Sequence, residues 1–255
     1  MIDIHSHIVP GIDDGADTIE TSLRMLKIAE DDGIKTIFAT PHYYRGRFET
    51  DQNEVKGLID ELNIRAREQN INVEILQGHE VYLDREILNL YREDKIKTLN
   101  NSRYLLIELP FDRLPDYALD MIYELRLLGV VPVIAHPERY MYFIKKPWEI
   151  NKFIDEGCLF QLNGGSITGL FGKEIQKTSE TFLKHGIVSF IGSDAHTTNK
   201  RRPELKKSFD IIEKNYGELK RTLLNNVEKV INNEEILCTS EKIKDKRSIF
   251  DIFRR

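Results

Sequence analysis

The chain has 255 residues, 40% of them hydrophobic and 31% charged, and its 37 basic and 42 acidic residues leave a net charge of −5. A chain of this length buries roughly three quarters of the surface that it exposes when unfolded, so it needs neither disulfides nor a ligand merely to fold. The acidic balance argues against a nucleic-acid binder, and the longest apolar run, residues 130–135, is far shorter than the ~20 residues of a membrane span.

The first residues and the cysteines indicate a cytoplasmic protein. The segment from Met1 to His5 has neither the basic region nor the apolar stretch of a secretory signal. Cys158 and Cys238 are isolated in the sequence, which fits a reducing compartment better than a disulfide framework.

Short β-rich runs alternate with segments of helical periodicity along most of the chain. Strands are predicted at residues 2–5, 35–40, 72–77, 104–109, 130–135, 159–162 and 188–192. Helices are predicted from Asp17 to a stop at Gly33, and at residues 51–69, 84–92, 114–128, 147–156, 172–185, 205–215 and 218–232. Seven such units favour an α/β fold in which a parallel sheet closes into a TIM-like (β/α)7 barrel, with a doubly wound open sheet as the alternative.

No linker interrupts residues 1–238, so we expect one barrel domain followed by a tail at 239–255. The tail carries six basic and three acidic residues. Its Ile249, Phe250, Ile252 and Phe253 are expected either to form a small docking face or to belong to a partly ordered terminus on the outside of the barrel.

Two pairs of metal-binding side chains stand at the ends of the first and last predicted strands. His5 and His7 are two residues apart, which directs both imidazoles to the same face, and Asp194 and His196 repeat that spacing. Because a barrel makes its first and last strands neighbours, we expect the two pairs to meet.

The intervening strands end in side chains of the same kind. These are His42, Glu80, Glu108 and His136, and the loop after the first strand adds Asp13 and Asp14, which are either ligands or turn formers before Gly15. Six of the seven units thus deliver metal-binding side chains to the carboxyl ends of the strands, where barrel enzymes have their active sites.

Other polar residues near these positions are interpreted as structural. His79 faces away from Glu80, and His185 precedes Gly186 as a helix C-terminal cap. Asp3 is expected to orient a histidine rather than to bind a metal, and Glu138 is expected to form an ion pair on a loop.

Imidazole and carboxylate without thiolate suit Mn²⁺, Fe²⁺, Zn²⁺ or Co²⁺, and a set of this size implies two or three ions that share carboxylates. Such sites generate hydroxide for the in-line displacement of a phosphoester. Arg139 and Arg201 are candidates for binding the phosphoryl oxygens, although either is also compatible with an ordinary loop charge. No arginine lies six residues after either cysteine and no GxxxxGK[ST] loop is present, which excludes cysteine-dependent tyrosine phosphatase and P-loop chemistry.

With these motifs the sequence resembles the polymerase-and-histidinol-phosphatase (PHP) superfamily, and within it the manganese-dependent protein-tyrosine phosphatases encoded with bacterial capsule and exopolysaccharide genes. The resemblance extends from residues 3–8 to residues 192–196 and covers the chain to about residue 237. It implies a seven-stranded barrel with a trinuclear site. Carried over by position, one metal is held by His5, His7, Glu80 and Asp194, a second by Glu80, Glu108 and His136, and a third by Asp14, His42 and His196.

The resemblance also implies a substrate and a partner, namely phosphotyrosines in the C-terminal tail of a bacterial tyrosine kinase, hydrolysed by a metal-bound hydroxide. Residues 43–48, with Arg45 and Arg47, are either an entrance for an aromatic ring flanked by acidic residues or an ordinary exposed loop. Two alternatives remain at this stage: a small-molecule phosphomonoesterase of the histidinol-phosphatase type, and a non-catalytic module that docks on a kinase. The oligomeric state is not predicted.

Overall fold

The structure is a computed structural model that describes residues 1–237 and 240–245. Within these residues it contains nine strands and ten α-helices. The strands are β1 (Ile2–Ser6), β2 (Thr36–Ala39), β3 (His42–Tyr43), β4 (Glu74–Gln77), β5 (Glu80–Tyr82), β6 (Tyr104–Glu108), β7 (Val131–Ala135), β8 (Leu159–Asn163) and β9 (Phe190–Gly192). The helices are α1 (Ile19–Asp31), α2 (Gln52–Glu68), α3 (Ile87–Arg92), α4 (Ala118–Leu127), α5 (Met141–Lys145), α6 (Asn151–Asp155), α7 (Gly164–Thr168), α8 (Lys173–Lys184), α9 (Lys206–Tyr216) and α10 (Leu219–Ile231).

All the paired strands run parallel, in the orders β1-β2-β4 and β3-β5-β6-β7-β8-β9. The two sheets are continuous with each other, because β3 directly follows β2 and β5 directly follows β4 along the chain. The last strand also reaches the first, since Asp194 N donates to His5 O and His7 N donates to Ala195 O, both at 2.8 Å. The predicted α/β barrel is therefore confirmed, with a seam between β9 and β1.

The structure differs from the prediction at two strands and along one helix. The second and third predicted strands, 35–40 and 72–77, correspond to β2 and β4, but each is followed after two residues by a short strand, β3 or β5, that was not predicted. Pro41, which has no N–H to donate to a neighbouring strand, lies in the gap between β2 and β3. The predicted helix at 147–156 begins as a 3₁₀ turn, Pro147–Ile150, and becomes α-helical only in α6. The short helices α5 and α7 were not predicted, because five residues are too few to show helical periodicity.

Buried apolar side chains form two clusters. The larger lies between the sheet and the surrounding helices. The smaller takes residues from strands all round the ring, among them Phe38, Leu106 and Phe190, and α10 adds Val227 and Val230 to it. The smaller cluster thus fills the barrel towards the amino ends of the strands and leaves the carboxyl ends free for polar side chains.

Most of the predicted tail, with Cys238 and the apolar residues at 249–253, lies outside the described residues. The described segment 240–245 packs on the barrel, where Ile243 is buried and exchanges two backbone hydrogen bonds with the Asn151 side chain. In the part of the chain that the structure describes, no helix has the length and apolar character to cross a bilayer.

Candidate metal centre

The nine candidate ligands converge at the carboxyl ends of the strands. They are His5, His7, Asp14, His42, Glu80, Glu108, His136, Asp194 and His196. The first three come from β1 and the residues that follow it, the next three from β3, β5 and β6, and the last three from the residues that follow β7 and β9. Most are buried, whereas His42 is 13% exposed and Asp14 is 49% exposed at the mouth of the site.

Glu80 lies at the centre of this cluster. Its Oε2 is 3.3 Å from His5 Nε2, 3.2 Å from His7 Nε2 and 3.1 Å from His42 Nδ1. Its Oε1 is 2.9 Å from His136 Nε2. One carboxylate thus contacts four imidazoles from three strand ends, which is the position of a bridging ligand.

Three groups of donor atoms are compact enough to hold an ion: His5, His7 and Glu80; His42, Glu80 and Glu108; and His7, Asp14, His42 and His196. Within each group the atoms lie within 4.8 Å of one another. The grouping resembles the partition that the sequence implied, except that His7 and His42 each fall in two groups. His136 and Asp194 belong to none of the three groups but lie next to them. His136 Nε2 is 3.7 Å from Glu108 Oε1, and Asp194 Oδ1 is 3.6 Å from His5 Nε2.

The donor chemistry of the first group fits a divalent cation. His7 Nδ1 donates to Asp13 Oδ2 at 2.7 Å and His5 Nδ1 donates to Gln161 Oε1 at 2.9 Å, so the two Nε2 atoms face inward. These Nε2 atoms are only 3.1 Å apart, and both lie against Glu80 Oε2. Such a set of electron-pair donors needs positive charge between its members, supplied either by protons or by a metal ion.

The pKa shifts within the cluster have the same cause. Burial alone would lower the pKa of His5, but Glu80 and Asp194 outweigh it and raise that pKa to about 9. The pKa of His42 is raised to about 10 in the same way, against its burial and chiefly by Glu80. Burial, reinforced by the charge of Glu80, raises the pKa of Glu108 to about 8. When its histidines are neutral, the cluster therefore carries an excess of negative charge from its carboxylates.

Two arginines hold Asp194 from the open side. Arg139 Nη1 donates to Asp194 Oδ2 at 2.9 Å, and Arg201 Nη2 lies 2.7 Å from Oδ1. The Arg139 guanidinium lies between Phe111 and Phe171, 5.0 Å from each ring centre. Arg201 Nε is buried and has no hydrogen-bond partner among the described residues.

The backbone is strained at two of the candidate ligands. His136 has φ 32° and Asp194 has φ 52°, a left-handed conformation that non-glycine residues rarely adopt and that clusters at functional sites. At Gly15 the constraint is close packing, because a Cβ atom there would lie 2.1 Å from the carbonyl oxygen of His7. At this site the backbone thus adopts unfavourable conformations that direct the candidate ligands into the cluster.

Four residues that the sequence assigned to structural roles can now be placed. His79 is buried and accepts a hydrogen bond from Lys97 N at 3.0 Å, and His185 caps α8 through Nδ1 on Thr181 O, both as expected. Asp3 accepts from Ser193 and from the backbone N of His5, so it fixes the strand and not an imidazole. The expected ion pair of Glu138 was wrong, since this residue is fully buried and accepts from Asn163 N.

Sequence reasoning missed two polar residues of the site, Gln161 and Asn163, and left the role of a third, Asp13, open. Asp13 orients His7 and also accepts from His42 N, a role that the turn-like Asp-Asp-Gly sequence did not distinguish from that of Asp14. Gln161 and Asn163 end β8 and contact His5 and Asp194. Their spacing of two residues on a predicted strand was an available signal, because it places both amides on the face that carries the ligands.

The cluster opens into a cavity of about 510 Å³ with aromatic walls. Phe48 stacks on His42, and Phe111 stacks on His136, at ring-centre distances of 5.7 and 5.6 Å. Tyr44 and Tyr82 stack on each other at 4.1 Å and also line the cavity.

The two arginines of residues 43–48 differ in position. Arg47 lines the cavity, with its guanidinium 4.8 Å from the centre of the Phe48 ring. Arg45 is engaged elsewhere, since its Nε donates to Asp84 Oδ2 at 2.7 Å. One basic residue of the predicted entrance therefore faces the site and the other is held away from it.

Comparison with known proteins gives consistent matches over nearly the whole chain. The family model for capsular polysaccharide synthesis proteins CpsB/CapC matches residues 1–232. The chain is 34% identical to the tyrosine-protein phosphatase YwqE of Bacillus subtilis, over 99% of this chain and 100% of YwqE. It is 33% identical to the tyrosine-protein phosphatase CpsB of Streptococcus pneumoniae, over 91% of this chain and 98% of CpsB. A crystal structure from work on YwqE and CpsB, described as metal-dependent tyrosine phosphatases, superposes with a TM-score of 0.92 at 34% identity, covering 96% of this chain and 100% of that one.

Proposed function

The chain belongs to the CpsB/CapC family of capsular polysaccharide synthesis proteins, and from this membership we infer that it is a metal-dependent tyrosine-protein phosphatase. The observation that carries this inference is the contact of the Glu80 carboxylate with four imidazoles from three strand ends, beside two arginines. A non-catalytic docking module has no use for such a buried excess of negative charge.

We propose that the nine converging side chains hold two or three divalent ions, with Mn²⁺ as the native metal. Glu80 would bridge two of these ions, because its carboxylate belongs both to the group with His5 and His7 and to the group with His42 and Glu108. Bound divalent cations supply the Lewis acidity that activates water and neutralises charge on the phosphoryl group.

The side chains of the protein bind and orient the phosphate. Arg139 and Arg201 present guanidinium donors at the open side of the cluster, suited to hold phosphoryl oxygens in a fixed geometry. The stacking of Arg139 between Phe111 and Phe171 restricts its rotation, so less conformational entropy is lost when an anion binds. The leaving group is a phenolate with a pKa near 10, which departs with little help from a general acid.

The walls of the cavity suit an aryl phosphate. Phe48, Phe111, Tyr44 and Tyr82 provide apolar ring surface above the cluster, against which a phosphotyrosine ring can pack while its phosphate reaches the arginines. We propose that the physiological substrate is the phosphotyrosine-bearing C-terminal tail of a cytoplasmic-facing bacterial tyrosine kinase in capsule or exopolysaccharide synthesis. The phosphatase then acts in the cytoplasm.

The function is tested by hydrolysis of p-nitrophenyl phosphate and of a phosphotyrosyl peptide. Chelation is expected to abolish both activities and added Mn²⁺ to restore them. The Cys158→Ala/Cys238→Ala double variant should keep full activity, since the proposed chemistry uses no thiolate. Turnover that survives complete chelation, or that depends on a cysteine, would overturn the proposal. A higher kcat/KM on histidinol phosphate than on the peptide would favour the small-molecule alternative.

A further inference from the structure

Strand β8 supplies no candidate ligand among the described residues, yet it ends in two fully buried amides, Gln161 and Asn163. We propose that these amides form a polar relay that fixes both the ring orientation of His5 and the position of Asp194, and that the metal affinity of the site depends on the relay as one unit. The inference rests on the proposed metal centre and assigns it two positioning residues.

One end of the relay is fixed by a carboxylate. Asn163 Nδ2 donates to Asp194 Oδ2 at 2.7 Å, and Asp194 also accepts from Arg139. Because an ionised carboxylate only accepts, the Asn163 amide can have just one orientation. Its Oδ1 is thereby directed to Gln161, whose Nε2 donates to it at 2.9 Å.

The other end is fixed by a backbone amide. The N–H of His136, which can only donate, points to Gln161 Oε1 at 3.4 Å. The same oxygen lies 2.9 Å from His5 Nδ1, so this nitrogen carries a hydrogen and His5 Nε2 is left to face Glu80. The hydrogen bond to Asn163 and the hydrogen bond from His136 are independent of each other, and both require the same orientation of the Gln161 amide.

The neighbouring strand leaves room for the relay. Gly192 pairs with Asn163, and a Cβ atom at position 192 would lie 2.7 Å from His5 Cβ and 3.0 Å from Gln161 Nε2. No side chain therefore intrudes between β9 and the two amides. Since both amides are completely buried, bulk water does not replace a lost link, and breaking any link releases the groups on both sides of it.

The test measures Mn²⁺ affinity by calorimetry on metal-free protein, a readout separate from turnover. Gln161→Met and Asn163→Leu are each expected to weaken the tightest Mn²⁺ site about 10- to 100-fold, the usual effect of removing a group that orients a ligand. The double variant should be no more than about threefold weaker than the worse single variant, because either change already breaks the relay.

Asn226→Leu is the matched control. Asn226 is also a buried amide, and its Nδ2 donates at 3.1 Å to the backbone O of Ser189, which immediately precedes β9, at the end of that strand opposite to the candidate ligands. We expect this variant to lose thermal stability without changing Mn²⁺ affinity. If Asn163→Leu does not fold, Asn163→Ser takes its place, since a serine is too short to contact both Gln161 and Asp194.

The relay would be overturned by single variants that keep wild-type affinity within twofold, by losses that add in the double variant, or by an equal loss in Asn226→Leu. A wild-type protein that binds Mn²⁺ but hydrolyses no phosphotyrosine would overturn the proposed function and leave the relay intact. A wild-type protein that binds no Mn²⁺ would overturn both.

Discussion

Arg47 provides the sharpest test of how the cavity selects its substrate. Its guanidinium is exposed at the mouth of the cavity, next to the ring of Phe48, whereas Arg45, two residues earlier, is paired with Asp84. We expect Arg47→Ala to weaken binding of a phosphotyrosyl peptide that has acidic residues on both sides of the tyrosine. Arg45→Ala is the matched control and should bind the peptide normally.

The magnitude follows from the exposure of Arg47. An exposed ion pair contributes about 0.2–1 kcal/mol, and the charge has two flanking acids to contact, so about 1 kcal/mol of binding is lost. This loss raises KM for the peptide about fivefold. The p-nitrophenyl phosphate ion does not reach past the aromatic walls, and its KM should change by less than about twofold.

The assay is steady-state kinetics of both variants on both substrates at low ionic strength. At ~1 M salt the screening length shrinks to about 3 Å, and the effect of Arg47→Ala on the peptide should largely disappear. Equal changes in KM for the two substrates would refute this reasoning. So would an Arg45→Ala variant as impaired as Arg47→Ala, because that result would show that the position of the guanidinium is irrelevant.

Three further predictions concern the phosphate contacts, the buried histidine and the barrel core. Arg201→Ala should lower kcat/KM for p-nitrophenyl phosphate about 100-fold or more, the usual effect of removing a donor to developing charge, while Arg201→Lys should recover part of it in the same assay. Burial lowers the pKa of His79 to about 4, whereas a histidine in the unfolded chain has a pKa of about 6.5. Protonation of His79 therefore favours unfolding, and the stability that depends on its neutral form is lost as the pH falls from about 6.5 to 4. Urea unfolding should therefore show wild type losing about 2 kcal/mol more than His79→Gln between pH 7 and pH 5. Tyr140→Phe should cost about 1–3 kcal/mol in the same measurement at pH 7, because the buried hydroxyl accepts from Leu109 N and donates to Ala135 O, both at 2.8 Å.

The ligand candidates could be predicted because a barrel imposes a simple rule on them. Side chains at the carboxyl ends of parallel strands meet at one face, so His5, Glu80 and Asp194 could be brought together without any knowledge of distances. The strands themselves were located to within about two residues, with the breaks at residues 40–41 and 78–79 unpredicted. Proline and glycine there marked the ends of β-rich runs but did not show that the strands resume.

The residues that orient the ligands could not be predicted in the same way. Gln161 contacts His5, which is 156 residues away, and Asn163 contacts Asp194, which is 31 residues away. The two-residue spacing of these amides could have placed them on the face that carries the ligands, but nothing in the local sequence separates a positioning role from an ordinary polar one. Glu138 illustrates the opposite error, since a charged residue beside a loop proline was interpreted as one member of a loop ion pair and is instead completely buried.

The seam between β9 and β1 has a consequence for how the protein is made. Asp3 and Ser193, 190 residues apart, are hydrogen-bonded across it, and Asp194 and His5 meet at the same place. During translation β1 leaves the ribosome long before β9 has been synthesised. His5 and His7 therefore have no Asp194 and His196 beside them until most of the chain has been made. The catalytic centre therefore cannot form before β9 has been synthesised, and a nascent or prematurely terminated polypeptide that ends before β9 lacks Asp194 and His196 and is expected to be inactive, however well its earlier units have folded.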